Sequence, residues 1–195
     1  YSLMNYLTQF DNPKNLRFDS FKKTFEICEK RNLRIIVETG TSRGKTKFYF
    51  FKSHNWKDGM STIMFAEYVK NKNGFLYTCD ISRSNIEAAK KFTKPFANFI
   101  NYNVEDSINF LNNFTRNIDL LYLDSLDGHD VIKASNHQLE EIKNSIKNLH
   151  TNSLVLLDDK GTKTNLSINF LLNNNFYILY ETNYQVLLSK NKMVN

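Results

Sequence analysis

At 195 residues the chain is long enough for one domain with a sizeable buried core, and no run of about 18 apolar residues is present to span a membrane. The net charge of +6 is dispersed: Lys22-Lys23, Lys45 and Lys47, Lys70 and Lys72, Lys90-Lys91, Lys160 and Lys163 form no stripe interleaved with aromatics. That pattern argues against a nucleic-acid surface and leaves an acidic or phosphorylated substrate compatible.

Apolar positions at helical spacing, from Leu16 and Phe18 through Phe21, Phe25, Ile27 and Cys28, predict a helix within 14–31, with Asp19 or Ser20 able to cap part of it. A strand follows from Leu33 to Glu38. Residues 45–57 read as an insertion holding Trp56 and the aromatics of 48–51, ahead of a helix from Ser61 to Lys70. Asn73-Gly74 turns the chain into a strand from Phe75 to Asp80. The alternation continues with a helix over 85–92, a strand over 97–102, a helix over 107–114 and a strand over 118–124. A helix over 135–149, a strand over 154–159 and a helix over 166–173 come next, and strands over 176–181 and 184–190 close the chain. Alternating strand and helix predicts a parallel sheet covered on both faces, and the last connection is too short for a crossover, so the final two strands pair antiparallel. Cys28 and Cys79 share no metal-ligand spacing and sit in apolar patterns, so two buried, reduced thiols in a cytoplasmic protein are expected. Tyr1-Ser2-Leu3-Met4 shows no basic region leading into an apolar signal segment, and a start without Met is expected of a trimmed or excised piece.

Several of these strands end on a carboxylate: Glu38, Asp80, Asp124 and Asp158-Asp159. Acidic tips gathered at one sheet edge repel one another unless something there uses their oxygens, so that edge is the expected active site. After Glu38 the chain opens into Thr39-Gly40-Thr41-Ser42-Arg43-Gly44, a loop suited to backbone N–H contacts with a nucleotide-like ligand. Gly40 to Thr46 resembles a phosphate-binding loop, with Leu120 to Asp124 as its partner strand. Its glycines are one residue too close, however, and Lys47-Phe48-Tyr49-Phe50-Phe51 is a poor helix start. Gly40-x-x-x-Gly44 also lacks the G-x-G-x-x-G order of a dinucleotide site. With 45–57 as an insertion, the loop instead closes onto Gly59-x-Ser61-Thr62. Asp80 then falls about 20 residues past Gly59, the spacing that sets a strand-end carboxylate on a ribose hydroxyl.

Glu38-x-Gly40 with Gly59-x-Ser61-Thr62, the strand-end Asp80, Asp106-Ser107 ahead of a helix, and Ile118-Asp119-Leu120-Leu121-Tyr122-Leu123-Asp124 together resemble the class I S-adenosylmethionine-dependent methyltransferases across residues 33–190. The resemblance implies a single α/β, Rossmann-like doubly wound domain over 1–195, with 1–32 as an N-terminal helical segment. Its seven-stranded sheet would run 3-2-1-4-5-7-6 with the last strand antiparallel. It implies that Glu38, Gly40, Thr41, Ser42, Gly59, Ser61 and Thr62 serve the methionine part of the cofactor, that Asp80 binds the ribose diol, and that Asp106 and Ser107 lie near the adenine. The 45–57 insertion departs from the family and reads either as a lid over substrate or as a surface excursion packing its own aromatics.

In a doubly wound sheet the tips bearing Asp124 and Asp158-Asp159 are neighbours, and oxygen-only ligands suit magnesium, calcium or manganese. The arrangement is similar to the metal-dependent O-methyltransferases of the catechol and macrolide-sugar type. That similarity implies a divalent ion such as Mg2+ on Asp124, Asp158 and Asp159, binding substrate oxygens. Asp159 stands where catechol-type enzymes carry Asn, and Asp127 where they carry a catalytic Lys, so that mechanism does not transfer whole. Asp124 and His129, close after it, are the candidate catalytic pair. His137 is expected on a helix surface or capping the helix, His54 in the insertion, within reach of substrate if that insertion folds over, and His150 at a helix end. The plainer reading is that Asp124 caps the following segment and Asp158-Asp159 only terminates a strand.

The expected function is methyl transfer from S-adenosylmethionine to a small-molecule or sugar hydroxyl, with a homodimer as the candidate assembly and neither nucleic acid nor membrane as partner. Two rivals remain: a phosphotransferase or nucleotide triphosphatase built on the Gly40–Thr46 loop, and a non-catalytic module that keeps the cofactor fold and offers its basic surface to a partner.

Overall fold

In chain order the strands of the computed structural model are β1 (Ile35–Thr39), β2 (Lys45–Phe48), β3 (Phe51–His54), β4 (Phe75–Asp80), β5 (Ile100–Val104), β6 (Ile118–Leu123), β7 (Leu149–Asp158), β8 (Tyr177–Glu181) and β9 (Gln185–Ser189). The helices are α1 (Phe18–Arg31), α2 (Ser61–Asn71), α3 (Arg83–Phe92), α4 (Ser107–Asn113), α5 (Val131–Ser145) and α6 (Asn165–Asn173). The structure describes residues 5–48 and 51–194; Tyr1–Met4, Tyr49 and Phe50 of the aromatic run, and Asn195 lie outside the described residues.

One sheet has the order β5-β4-β1-β6-β7-β9-β8, and β2 and β3 form a separate hairpin. Only β9 runs against its neighbours, pairing antiparallel with both β7 and β8. Counting the sheet strands alone, this is the expected 3-2-1-4-5-7-6 arrangement. Side chains alternate along each strand, so successive residues enter opposite cores. Ile36, Leu120, Tyr122, Leu154, Leu156 and Leu187 pack with Phe21, Phe25, Phe65 and Tyr68 of α1 and α2. Val37, Leu121, Leu123, Val155, Leu157 and Leu188 pack on the other face with Phe110, Ile142 and Leu171 of α4, α5 and α6. Burial on both faces is why these strands read as unbroken apolar runs.

The N-terminal helix matters for the site. Phe21 meets Tyr122 edge-on at 5.4 Å and Phe65 at 5.8 Å, which locks α1 across the centre of the sheet. Such aromatic pairs contribute about 0.5–1.5 kcal/mol beyond their burial. Arg17, at the N-cap of α1, is thereby held over the ends of β6 and β7.

Some boundaries depart from the sequence expectation. Lys94–Phe99 forms a 3-10 turn with Pro95 near its start, so β5 begins at Ile100 instead of 97. Asp130 caps α5 by accepting from Lys133 N at 3.1 Å, so that helix starts at Val131. His150 consequently lies in β7, not at a helix end, with Nε2 2.8 Å from Asp119 Oδ1. Strand β2 begins directly after Gly44, so the phosphate-loop rival lacks the helix N-terminus it requires. No helix among the described residues is long and apolar enough to cross a membrane.

Candidate active site

The end of β1 is stapled to the strands on either side. Gly40 N–H donates to Cys79 O at 2.9 Å, and Asp124 N–H donates to Thr39 O at 2.9 Å. Gly40 adopts φ +83°, and a Cβ there would lie 2.0 Å from the Asp124 carbonyl oxygen, so the close approach of β1 and β6 requires glycine. Gly40 and Asp80, the two residues on which the cofactor assignment depends, share one rim. Asp80 is fastened there by Thr41 N at 3.2 Å, Ser82 N at 2.7 Å and Asn85 Nδ2 at 3.1 Å.

Glu38 is fully buried and does not face that rim. Ser61 Oγ, Thr62 Oγ1 at 2.8 Å and Thr78 Oγ1 at 2.7 Å donate to its carboxylate. Ser42 N donates to Thr62 Oγ1 at 2.8 Å, and Thr62 N donates to Ser42 Oγ at 3.0 Å. Glu38, Ser61 and Thr62 therefore hold the Thr41-Ser42 loop from behind, and Gly59 lies against Arg17 and Phe21. The family resemblance implies cofactor contacts for these four, but they line neither of the two cavities at this edge.

Burial pushes the Glu38 carboxyl up to about 7, against the three hydroxyl bonds that favour its ionised form. The folded state thus holds this proton more tightly than the unfolded chain. The associated stability is complete below the ordinary carboxyl value of 4.5 and is lost as pH rises to about 7. Across that window the wild type is expected to lose about 3 kcal/mol relative to Glu38→Gln, measured by denaturant unfolding at stepped pH. A difference that does not vary with pH would refute the assignment.

Two adjoining cavities open at this edge, sharing Gly40, Asp80, Ile81 and Ser125. The first, of about 320 Å³, runs from Thr41 and Ser42 past Asp80 to Asp124 and Asp159. The second, of about 250 Å³, is walled by Asp106, Ser107 and His137. Asp106 caps α4 through Ile108 N at 3.0 Å and Asn109 N at 3.1 Å. Ser107 Oγ lies 3.0 Å from His137 Nε2, and Ser125 Oγ donates to the buried Glu141 at 2.7 Å. His137, expected on a helix surface, is thus part of the second cavity's wall. Its hydrogen bond with Glu141 raises the imidazole pKa, and burial opposes the rise.

At the far end of the first cavity Asp124, Asp158 and Asp159 offer carboxylate oxygens that all lie within 4.8 Å of one another. The neighbouring-strand expectation is met, since β6 and β7 pair in parallel and end side by side. Asp159 has φ +57°, a left-handed conformation that Asp tolerates better than most residues, and it brings two successive carboxylates to one strand tip. Desolvation, then the charge of Asp158, pushes the Asp124 carboxyl well above the usual carboxylate range; the Lys163 ammonium opposes this.

Two cations sit among these acids. Arg17 Nε donates to Asp158 Oδ1 at 2.7 Å, and its Nη2 donates to Asp159 Oδ1 at 3.1 Å. Lys163 Nζ lies 3.1 Å from both Asp124 Oδ1 and Asp159 Oδ2. Burial disfavours the Lys163 charge, but Asp124, Asp159 and Asp158 more than offset it and hold the ammonium protonated. Both oxygens of Asp159 and one each of Asp158 and Asp124 are therefore taken by side chains, an arrangement that does not fit a coordinated divalent ion.

His129 is exposed and lines neither cavity. His54 is also exposed and packs on Trp56 at 5.2 Å and Phe92 at 6.1 Å, outside both cavities. Arg17 escaped the sequence reading because 141 residues separate it from Asp158. Lys163 carried a usable signal: it follows Asp159 by four residues, close enough for the turn after β7 to bring the two together.

The sequence of residues 56–160 matches a family described as a methyltransferase domain. No curated protein matches the chain. Among solved structures, the S-adenosylhomocysteine-bound methyltransferase PaMTH1 of Podospora anserina is similar with a TM-score of 0.61 and 12% identity, over 96% of this chain and 86% of that one. A Streptococcus mutans protein described as a methyltransferase, in complex with S-adenosylhomocysteine, gives 0.60 and 12% over 88% and 96%. The N-methyltransferase NodS of Bradyrhizobium japonicum gives 0.60 and 14% over 91% and 96%. At these identities the likeness is one of fold.

Proposed function

The chain belongs to the methyltransferase-domain family, and on that premise we propose that it transfers the methyl group of S-adenosylmethionine to a hydroxyl of a small polar molecule or sugar. One observation carries this reading: a single cavity joins the Gly40–Ser42 loop and Asp80 to Asp124 and Asp159. Asp80 would hold the ribose, Asp106 and Ser107 in the second cavity would flank the adenine, and Thr41 and Ser42 would receive the methionine part, which would present the methyl group towards Asp124. Among the described residues Ile81 is the one apolar side chain lining the first cavity, so the walls suit an acceptor rich in hydroxyls.

The cofactor supplies a reactive methyl group, and the protein's part is orientation and exclusion of water. The acceptor oxygen forms its bond to the methyl carbon as the carbon–sulfur bond breaks, releasing S-adenosylhomocysteine. Asp124 takes the hydroxyl proton. His129 is not given that role, because it lines neither cavity.

Calorimetry with S-adenosylhomocysteine tests the cofactor half. Wild type is expected to bind, and Asp80→Ala to lose about 1–3 kcal/mol, the scale of a hydrogen bond to a charged group. Lys45→Ala should leave that affinity unchanged and confer no change in ATP–magnesium binding. No heat from the wild type would put the non-catalytic module in front. Release of S-adenosylhomocysteine with a panel of sugars, polyols and amines tests the acceptor half; turnover confined to amines would overturn the hydroxyl assignment.

A further inference from the structure

The resemblance to metal-dependent O-methyltransferases places a divalent ion on three carboxylates, yet those carboxylates already carry two cations of the chain itself. We infer that Arg17 and Lys163 are positioning residues that take the electrostatic place of that ion, so the acceptor end of this site works without a divalent metal. The inference rests on the reading of Asp124 as the acceptor-side base.

Three features carry it. The first is charge: three carboxylates face a guanidinium and an ammonium, which leaves a single negative charge in the cluster. One unneutralised carboxylate suits a group that accepts a proton, whereas an added divalent ion would meet two fixed positive charges. The second is the use of oxygens. Asp159 has both of its oxygens in ion pairs, and Asp158 and Asp124 each have one. Of the remaining two, Asp158 Oδ2 is buried with no hydrogen-bond partner. Asp124 Oδ2 is 3.4 Å from Tyr122 Oη. An octahedral Mg2+ needs its oxygens at about 2.0–2.1 Å, inside the space these pairs fill.

The third is how firmly Lys163 is held. Its side chain is 2% exposed, and besides the two carboxylates it donates to Leu126 O at 3.0 Å, which uses all the donors of an ammonium. The bond to Leu126 ties it to the segment that follows Asp124. Arg17 is fixed from the opposite side by the packing of α1, with Phe21 wedged between Phe65 and Tyr122. Neither cation can leave the cluster as a surface lysine could. Lys163 holds Asp124 and Asp159, and Arg17 holds Asp158 and Asp159, so the two cations fix all three carboxylates in place.

Manganese is the probe, read by its electron paramagnetic resonance signal and by calorimetry on the full chain with S-adenosylhomocysteine added. Wild type is expected to bind Mn2+ no more tightly than about 1 mM. Lys163→Gln is expected to gain Mn2+ binding about tenfold tighter or better, because Asp124 Oδ1 and Asp159 Oδ2 lose their ammonium and become ligands. Arg17→Gln is the parallel variant if Lys163→Gln does not fold. A merely structural role would lower stability in either variant without creating metal binding. Wild type binding Mn2+ more tightly than about 1 mM overturns the inference, and so does failure of the folded variants to gain it. Loss of S-adenosylhomocysteine binding by the wild type counts against the proposed function instead, so the two failures are distinguishable.

Discussion

Asp124→Asn is expected to lower kcat by about 10²- to 10⁴-fold while S-adenosylhomocysteine still binds, because the amide preserves shape and removes the proton acceptor. The pH dependence gives a second handle. Desolvation and the adjacent Asp158 charge both raise the Asp124 carboxyl above the usual range. Activity requires its ionised form, so kcat/KM should climb with pH and level off only above the ordinary carboxylate region. In Asp124→Asn that acidic limb should vanish. In Asp158→Asn it should move towards lower pH, since the neighbouring negative charge is gone. A limb unchanged in both variants would place the titrating group elsewhere, with His137 as the next candidate because its own imidazole is raised by Glu141.

Gly40→Ala is expected to destabilise the fold and abolish cofactor binding together. The added methyl would meet the Asp124 carbonyl oxygen at 2.0 Å, its carbon at 2.5 Å and Ser125 Cα at 2.9 Å, all of them backbone atoms. A side chain at φ +83° adds left-handed strain of roughly 1–2 kcal/mol, and overpacking adds about 1–3 kcal/mol. Relief requires the tips of β1 and β6 to part, which moves the Thr41-Ser42 loop and Asp124 in opposite directions. For a chain of this size the thermal midpoint should fall by about 5–15 °C. Calorimetry with S-adenosylhomocysteine on the folded fraction then separates the two effects. Retained affinity would show that the glycine serves folding alone.

The central strands were legible because burial on both faces writes itself as unbroken apolar runs such as Leu120 to Leu123 and Leu154 to Leu157, whereas their order came from the family resemblance and the β2–β3 hairpin was not legible at all. Acidic tips at Asp80, Asp124 and Asp158-Asp159 were legible for a related reason: a charge ending an apolar run must meet solvent, a ligand or a partner inside the protein, and only the fold shows which, as the buried Glu38 and Asp158 illustrate. The direction of β9 followed from a connection too short to cross the sheet. Boundaries governed by single caps were less legible. Asp130 and Pro95 each moved an element by a few residues, because a cap acts through one side chain and leaves the periodic pattern almost unchanged.

What the chain's local pattern decided was therefore the alternation of central strands and helices, the antiparallel last pair and the edge where chemistry gathers. Tertiary packing decided which residues face that chemistry. The resemblance sets Glu38, Ser61 and Thr62 against the cofactor, yet their bonds run to one another behind the loop and they line neither cavity. Arg17 lies far from β7 in sequence, yet the packing of α1 on Tyr122 sets it against Asp158 and Asp159. The physical reason is range. Periodicity and strand ends are properties of a few consecutive residues, whereas the neutralisation of a buried carboxylate depends on whichever cation the completed fold brings within about 3 Å.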